Sequence, residues 1–219
     1  MASLASEPTS PTLRIKMLHI GDTSGSDGNF KSKLLETCFK ESFNSEFVTT
    51  IGIDYKVANL PLPPSSEGAN QTCQLIAWDT AGQERFKSIT ASFFRGADAL
   101  ALCYDVHNKE SFERLRKWCT QIKKMQEAGE TTVTCYALVG VTTGDKKEAV
   151  TAKDEAAFVA EFGDSLVGIF TTRVDQGDAD AICAMYTSVC AKVAEAGGGK
   201  PIPGKESPEK EKSSGCAVM

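Results

Sequence analysis

The chain reads as an α/β fold: a mostly parallel six-stranded sheet with helices on both faces. Three observations predict this. Short apolar or alternating segments take turns with longer segments of helical period, which is the signature of strands joined by crossover helices. A glycine-rich connection, Gly25 to Ser32, falls between the first strand and the first helix. A third apolar run ends in a single carboxylate, Asp79, followed at once by Thr80-Ala81-Gly82. In such sheets ligands sit beyond the carboxyl ends of the strands, where these polar segments lie.

The elements follow in order. Residues 1–12 are rich in Ser, Thr and Pro and are expected to be disordered. Leu13–Ile20 alternates and is the first strand; Lys31–Lys40 is the first helix. Ile53–Leu60 alternates again. Pro61–Asn70 is assigned to a loop because its prolines lack ladder donors. Thr72–Trp78 is a strand, and Ala99–Asp105 is a strand buried on both faces. The helix Ser111–Ala128, the buried strand Thr132–Gly140 and the helix Ala152–Phe162 come next. Leu166–Phe170 is a short last strand and Ala179–Ala194 the last helix. After Gly197-Gly-Gly the composition turns to Pro, Lys, Glu and Ser. One domain over residues 13–195, followed by a flexible tail over 196–219, is the expected organisation.

Bulk properties narrow the function. The 219 residues suffice for one sizeable core. A net charge of -5 gives no electrostatic reason to expect nucleic acid. No apolar run reaches the roughly 18 residues of a membrane span, and the N-terminus lacks the basic and apolar regions of a signal peptide. Eight scattered cysteines without a Cys-x-x-Cys pair argue against zinc. Cys73, Cys103, Cys119, Cys135, Cys183 and Cys190 fall in or beside apolar segments, as reduced core residues do.

Two segments carry the chemistry. Gly25-Ser-Asp-Gly28-Asn29-Phe30-Lys31-Ser32 fits the phosphate-binding pattern G-x-x-x-x-G-K-S except that Phe30 replaces the second glycine. Such loops turn backbone N–H groups toward phosphates at a helix N-terminus. Lys31 is placed to reach the outer phosphates and Ser32 to bind magnesium, with Lys33 beside them. Phe30 brings a Cβ and a ring where the backbone should approach the ligand, and Gly21-Asp-Thr-Ser24 reads as a four-residue insertion ahead of the motif. In the second segment, Asp79 is suited to hold Mg2+ through water. Gly82 lets a backbone N–H swing to a terminal phosphate, and Gln83 can orient an attacking water.

Trp78-Asp79-Thr-Ala-Gly82-Gln83-Glu-Arg-Phe86 strongly resembles the second switch of the Rab branch of Ras-like small GTPases, and Thr49-Thr50-Ile-Gly-Ile-Asp54-Tyr55-Lys56 resembles the first. Ser32 and Thr50 are 18 residues apart, the family's separation between its two magnesium-liganding hydroxyls. The resemblance implies a phosphate-loop small-GTPase fold that binds GTP/GDP with Mg2+. Ser32, Thr50 and Asp79 would hold the metal; Lys31 and Gln83 would be catalytic. Tyr55, Trp78 and Phe93 match an aromatic triad that selects effectors, so effector and regulator proteins are expected on the switch face.

The base-reading motifs depart from the family. Its Asn-Lys-x-Asp is replaced by Val141-Thr142-Thr143-Gly144, and Asp145 is one place too late unless the loop has gained a residue. The later Ser-Ala-Lys reads Thr172-Arg173-Val174. Cys216-Ala-Val-Met219 matches C-a-a-X, with a terminal Met that favours farnesyl. One lipid chain without a basic tail gives reversible attachment, on the cytoplasmic face of intracellular membranes and partly in the cytosol. Two functions remain open: a divergent GTPase switch in vesicle traffic, or a pseudo-GTPase acting as a membrane-recruited binding module. A phosphate-loop enzyme using another nucleotide is a weaker third.

Overall fold

The computed structural model describes residues 11–21, 30–41, 54–63, 71–79, 94–142, 147–174 and 178–202. The strands are β1 (Leu13–Ile20), β2 (Asp54–Leu62), β3 (Gln71–Asp79), β4 (Ala99–Asp105), β5 (Cys135–Thr142), β6 (Leu166–Arg173) and β7 (Lys200–Pro201). The helices are α1 (Phe30–Glu41), α2 (Lys109–Glu127), α3 (Ala152–Phe162) and α4 (Ala179–Glu195). The six expected strands lie in the order β2-β3-β1-β4-β5-β6, and β7 makes the sheet seven-stranded by pairing with β1. All pairs along the main path are parallel except β2 with β3.

Alternation along β1 sorts its side chains into two cores. Ile15 and Met17 pack with Leu34, Leu35 and Phe39 of α1 and with Ile182, Met185 and Val189 of α4. Leu18 and Ile20 pack with Phe112, Leu115 and Ile122 of α2 and with Phe158 and Phe162 of α3. Strand β4 is buried along its whole length, which explains its unbroken apolar run. The cysteines 73, 103, 119, 135 and 190 are buried free thiols, and Cys183 is half-buried.

Local chemistry sets the helix ends. Asn108 caps α2 by accepting from the N–H groups of Glu110 and Ser111. Thr151 and Asp154 form a reciprocal capping box at α3. Helix α4 stops where Gly197 takes φ 71°, a left-handed conformation that glycine adopts without strain.

Strand β6 runs on to Arg173, three residues past the expected Phe170, and three further boundaries differ from expectation. Pro61 and Leu62 belong to β2, opposite Thr72 and Gln71. At the edge of a sheet a proline is tolerated, because its missing donor faces no further strand. Strand β5 starts three residues later than the apolar run suggests and continues through Val141 and Thr142, because both pair with β6. The third concerns the chain after Gly197, expected to be loose. It turns back through Gly199 at φ 83° and pairs antiparallel with the start of β1, Leu13 with Pro201 and Arg14 with Lys200. Thr12 is bound too: its N–H donates to the Thr72 carbonyl at 3.0 Å, and its carbonyl accepts from Ile202 at 3.1 Å.

Asp98 fastens this end. Its carboxylate accepts from the Lys16 N–H at 2.8 Å and from the Gly199 N–H at 3.2 Å. Asp98→Ala is expected to cost about 3 kcal/mol, from two bonds to a charged acceptor at roughly 1.5–3 kcal/mol each. Urea unfolding of the two proteins measures it, and a loss below about 1 kcal/mol would mean that β7 holds without the carboxylate.

Candidate phosphate and magnesium site

The parallel register of β1 and β3 sets His19 opposite Asp79, so the two strands end together. Helix α1 begins directly above, with Phe30 and Lys33 in its first turn. The Ser32 hydroxyl donates to Oδ2 of Asp79 at 2.5 Å. The Lys31 ammonium donates to the Gly21 carbonyl at 2.6 Å. Lys31 is 2% exposed, and a buried ammonium must be met by oxygen. The connection to α1 leaves the strand at Gly21, which lies flat on β4: a Cβ there would run into the Cys103 carbonyl oxygen.

Charge is concentrated beneath this point. Burial pushes the Cys103 thiol up to about 12, with the Lys31 ammonium opposing and the Asp79 carboxylate adding to the shift. His19 is fully buried and held down to about 4, chiefly by burial. The hydrogen bond to Trp78 works the other way, and Lys31 adds to the lowering. Nδ1 of His19 faces the Trp78 carbonyl at 3.1 Å and Nε2 faces the Tyr186 hydroxyl at 2.8 Å. A carbonyl only accepts, so Nδ1 carries the proton and Nε2 accepts from Tyr186. The neutral ring ties the end of β3 to α4.

Ser32 and Asp79 offer hard oxygen donors at the head of a helix, a donor set that suits Mg2+. Among the described residues no cluster of three His, Cys, Asp or Glu side chains forms a metal cage. Magnesium does not need one, since it keeps waters and takes phosphate oxygens.

The base side of the same edge is built differently. Val141, at the family's Asn position, is 1% exposed and packed in the α1/α4 core. Thr142, at the Lys position, is engaged by His107: its hydroxyl lies 2.8 Å from Nε2, while Nδ1 faces the Lys147 carbonyl at 3.2 Å. Thr172 is 5% exposed, and its hydroxyl has no hydrogen-bond partner among the described residues. On the α2 side of the sheet, Tyr55 and Trp78 stack at 5.2 Å between ring centres with 25° between planes. Both are half-buried.

The structure thus brings together Lys31, Ser32 and Asp79, and separately Tyr55 and Trp78. Gly25, Gly28, Asn29, Thr50, Gly82, Gln83, Phe93, Asp145 and Cys216 lie outside the described residues. Sequence reasoning missed Gly21, His19 and His107. One signal was available: the chain has only two histidines, and each falls at or just beyond the end of an apolar strand.

The sequence profile of the Ras family matches residues 16–169. The GTP-binding protein ypt1 of Schizosaccharomyces pombe is 36% identical over 155 residues, 69% of this chain and 66% of that protein. The Ras-related protein Rab-1A of Dictyostelium discoideum is 31% identical over 215 residues, covering 92% of this chain and 96% of that one. This chain belongs to the Ras family, on its Rab-like branch. It spans about half the length of other curated relatives, such as the fission-yeast ypt2 protein, at 42% identity over 110 residues. The fold agrees with the family's phosphate-loop architecture, and no described helix is long and apolar enough to cross a membrane.

The His19 pocket is expected to make this Rab-like domain acid-sensitive. The folded pKa of about 4 lies below the ordinary 6.5, so the unfolded chain takes up the proton first as pH falls. The stabilisation is full above pH 6.5 and drains away between 6.5 and 4, by about 3 kcal/mol in all. Urea midpoints across that window should show the slope in the parent chain and lose it in His19→Gln. An equal slope in both would assign acid sensitivity to another group.

Proposed function

We propose that the chain is a divergent Rab-like small GTPase, a membrane-attached switch in vesicle traffic. It binds guanine nucleotide and Mg2+ but grips the phosphates far better than the base. The observation that carries this reading is the junction of Lys31, Ser32 and Asp79 at the joint end of β1 and β3. There Lys31 brings an ammonium charge to the phosphates. Ser32 and Asp79, together with Thr50, hold the metal, which when bound neutralises phosphate charge. Gln83 orients water for hydrolysis, which is expected to be slow. Gly25, Gly28, Asn29, Phe30, Lys33 and Gly82 complete the nucleotide contacts in this reading, and Asp145 is the remaining candidate for the base. Tyr55, Trp78 and Phe93 form the effector and regulator face.

A second reading has its own support. Val141 is committed to the core and Thr142 to His107, so neither position presents the amide or the lysine stem that the family places there against the base. A pseudo-GTPase that binds partners without cycling follows if phosphate affinity is weak as well. Each lost charge-assisted bond costs roughly 1.5–3 kcal/mol, and discrimination against other bases is lost with it.

Titration of GTP, ATP and inorganic triphosphate with magnesium distinguishes these readings. The expected result is measurable binding of all three, with GTP preferred by less than about a thousandfold, or roughly 4 kcal/mol. A larger preference would overturn the weak-base claim and give Asp145 the base. No binding at all would favour the pseudo-GTPase. Ser32→Ala should weaken binding only when magnesium is present.

Cys216 is the proposed farnesyl site. Cys216→Ser is expected to move the protein from membranes to cytosol with its unfolding midpoint unchanged. Cell fractionation and mass analysis of the C-terminus check this, and an unmodified Cys216 in cells would remove the lipid from the proposal.

A further inference from the structure

Four cations crowd the end of the domain from which the C-terminal segment departs. Arg14 and Lys200 are direct partners across the antiparallel β1–β7 ladder, so their side chains leave the same face. Lys16 shares that face, two residues on. Its ammonium donates to the Arg95 carbonyl at 3.2 Å and lies 4.9 Å from the Trp78 ring centre. The Lys200 ammonium hangs over the next residue, 3.3 Å from where a Cβ on Gly96 would stand. The Arg95 side chain is exposed beside them.

This arrangement opposes itself. Like charges set across a ladder work against the pairing. Burial and then Lys200 hold the Lys16 ammonium below its ordinary range, against the pull of Asp98. Among the described residues Arg14, Arg95 and Lys200 form no ion pair. Asp98 is nearby, but its carboxylate accepts two backbone N–H groups. Glu130 lines a groove of about 580 Å³ with Arg95 and Gly96 without pairing to Arg95. A cluster of this kind is relieved by an anion from outside.

We propose that this cluster docks on anionic phospholipid headgroups. The domain would then be held against the membrane by the end where β1 starts, with the nucleotide site at the other end of the same strand. The inference rests on the membrane-attachment reading above. The course of the chain beyond β7 points to this occupant. Ile202 is bound to Thr12, and Cys216 lies fourteen residues beyond it, a reach of at most about 50 Å. The intervening Lys205, Lys210 and Lys212 are cancelled by Glu206, Glu209 and Glu211. Any preference for anionic lipid has to come from the folded body.

The test uses the full-length chain, farnesylated at Cys216 or left unmodified. It is sedimented with phosphatidylcholine vesicles or with vesicles that also contain phosphatidylserine. The farnesylated chain is expected to favour the anionic vesicles, and the preference should shrink as salt is raised. Each cation near such a surface contributes about a fivefold effect. Arg95→Gln with Lys200→Gln should therefore reduce the preference by about 25-fold and leave binding to neutral vesicles unchanged. Lys200→Gln alone removes a repulsive neighbour of Arg14, so it keeps the fold and should lose about fivefold. Equal binding to both vesicles, or a preference that survives the double change, overturns the proposal. So does its abolition by millimolar inorganic phosphate at constant ionic strength, which would reveal a small-anion site instead. If Cys216 accepts no farnesyl, the lipidation reading fails separately. The unmodified chain still tests the cluster by its own preference between the two vesicles.

Discussion

The burial of one ammonium group organises the upper half of this molecule. Lys31 is inside the protein, and its ammonium donates to the Gly21 carbonyl. To make that bond, the chain must leave β1 at a residue with no side chain, because β4 presses on it from the side. The first turn of α1 then sits over the ends of β1 and β3, and Ser32 falls on Asp79. Phosphate binding at a helix N-terminus needs little more than this from a fold. Supporting polar groups lie a layer below. His19 is kept neutral, so it can link the Trp78 carbonyl to the Tyr186 hydroxyl without adding a second positive charge beneath Lys31.

At the edge proposed for the base, strand order takes up positions that a base-binding site would need. Extending β5 through Thr142 satisfies backbone groups against β6. Strand alternation then turns Val141 into the core, where an isopropyl group packs without cost and an amide would need partners. Thr142 finds its partner in His107. These contacts stabilise the edge, but they occupy positions at which base recognition needs exposed, precisely placed polar groups. In the proposed reading the two ends of the nucleotide site thus differ: the phosphate end is built at the head of α1, and the base end is given over to strand packing beside β6.

Much of this was legible in the sequence, for identifiable reasons. Buried parallel strands announce themselves by composition, and β4 and the β1–α1 junction could be read from Ala99–Asp105 and from Lys31-Ser32 directly. Asp79 was legible because one carboxylate at the end of an apolar run has few structural uses. Contacts set by tertiary register were not legible. Pro61 looked like a loop residue because nothing local shows that β2 lies at the sheet edge. Val141 looked like a missing ligand, and only its pairing shows it as a core residue. The segment Gly197–Ile202 looked loose because its glycines and prolines give no strand signal. It is ordered by Asp98, a residue about a hundred positions earlier whose carboxylate binds Gly199.

That last contact gives the domain two ends with different chemistry on a single strand. Strand β1 begins among Arg14, Lys16 and Lys200 and ends at Ile20, just before Gly21 meets Lys31. It is held by β3 over Leu13–His19 on one side, and on the other by β7 at Leu13–Arg14 and by β4 at Met17–Ile20. A rigid element of eight residues is about 25 Å long, longer than a Debye length at physiological salt. The two regions proposed to meet anions are therefore separated by most of the sheet's height. Side-chain contacts also link the two ends. The described path is short: Trp78 hydrogen-bonds His19 at one end of β3 and carries Lys16 over its ring on the other face of the sheet. Trp78 adjoins Asp79 in the chain, so the indole that Lys16 covers is one residue from the Asp79 carboxylate.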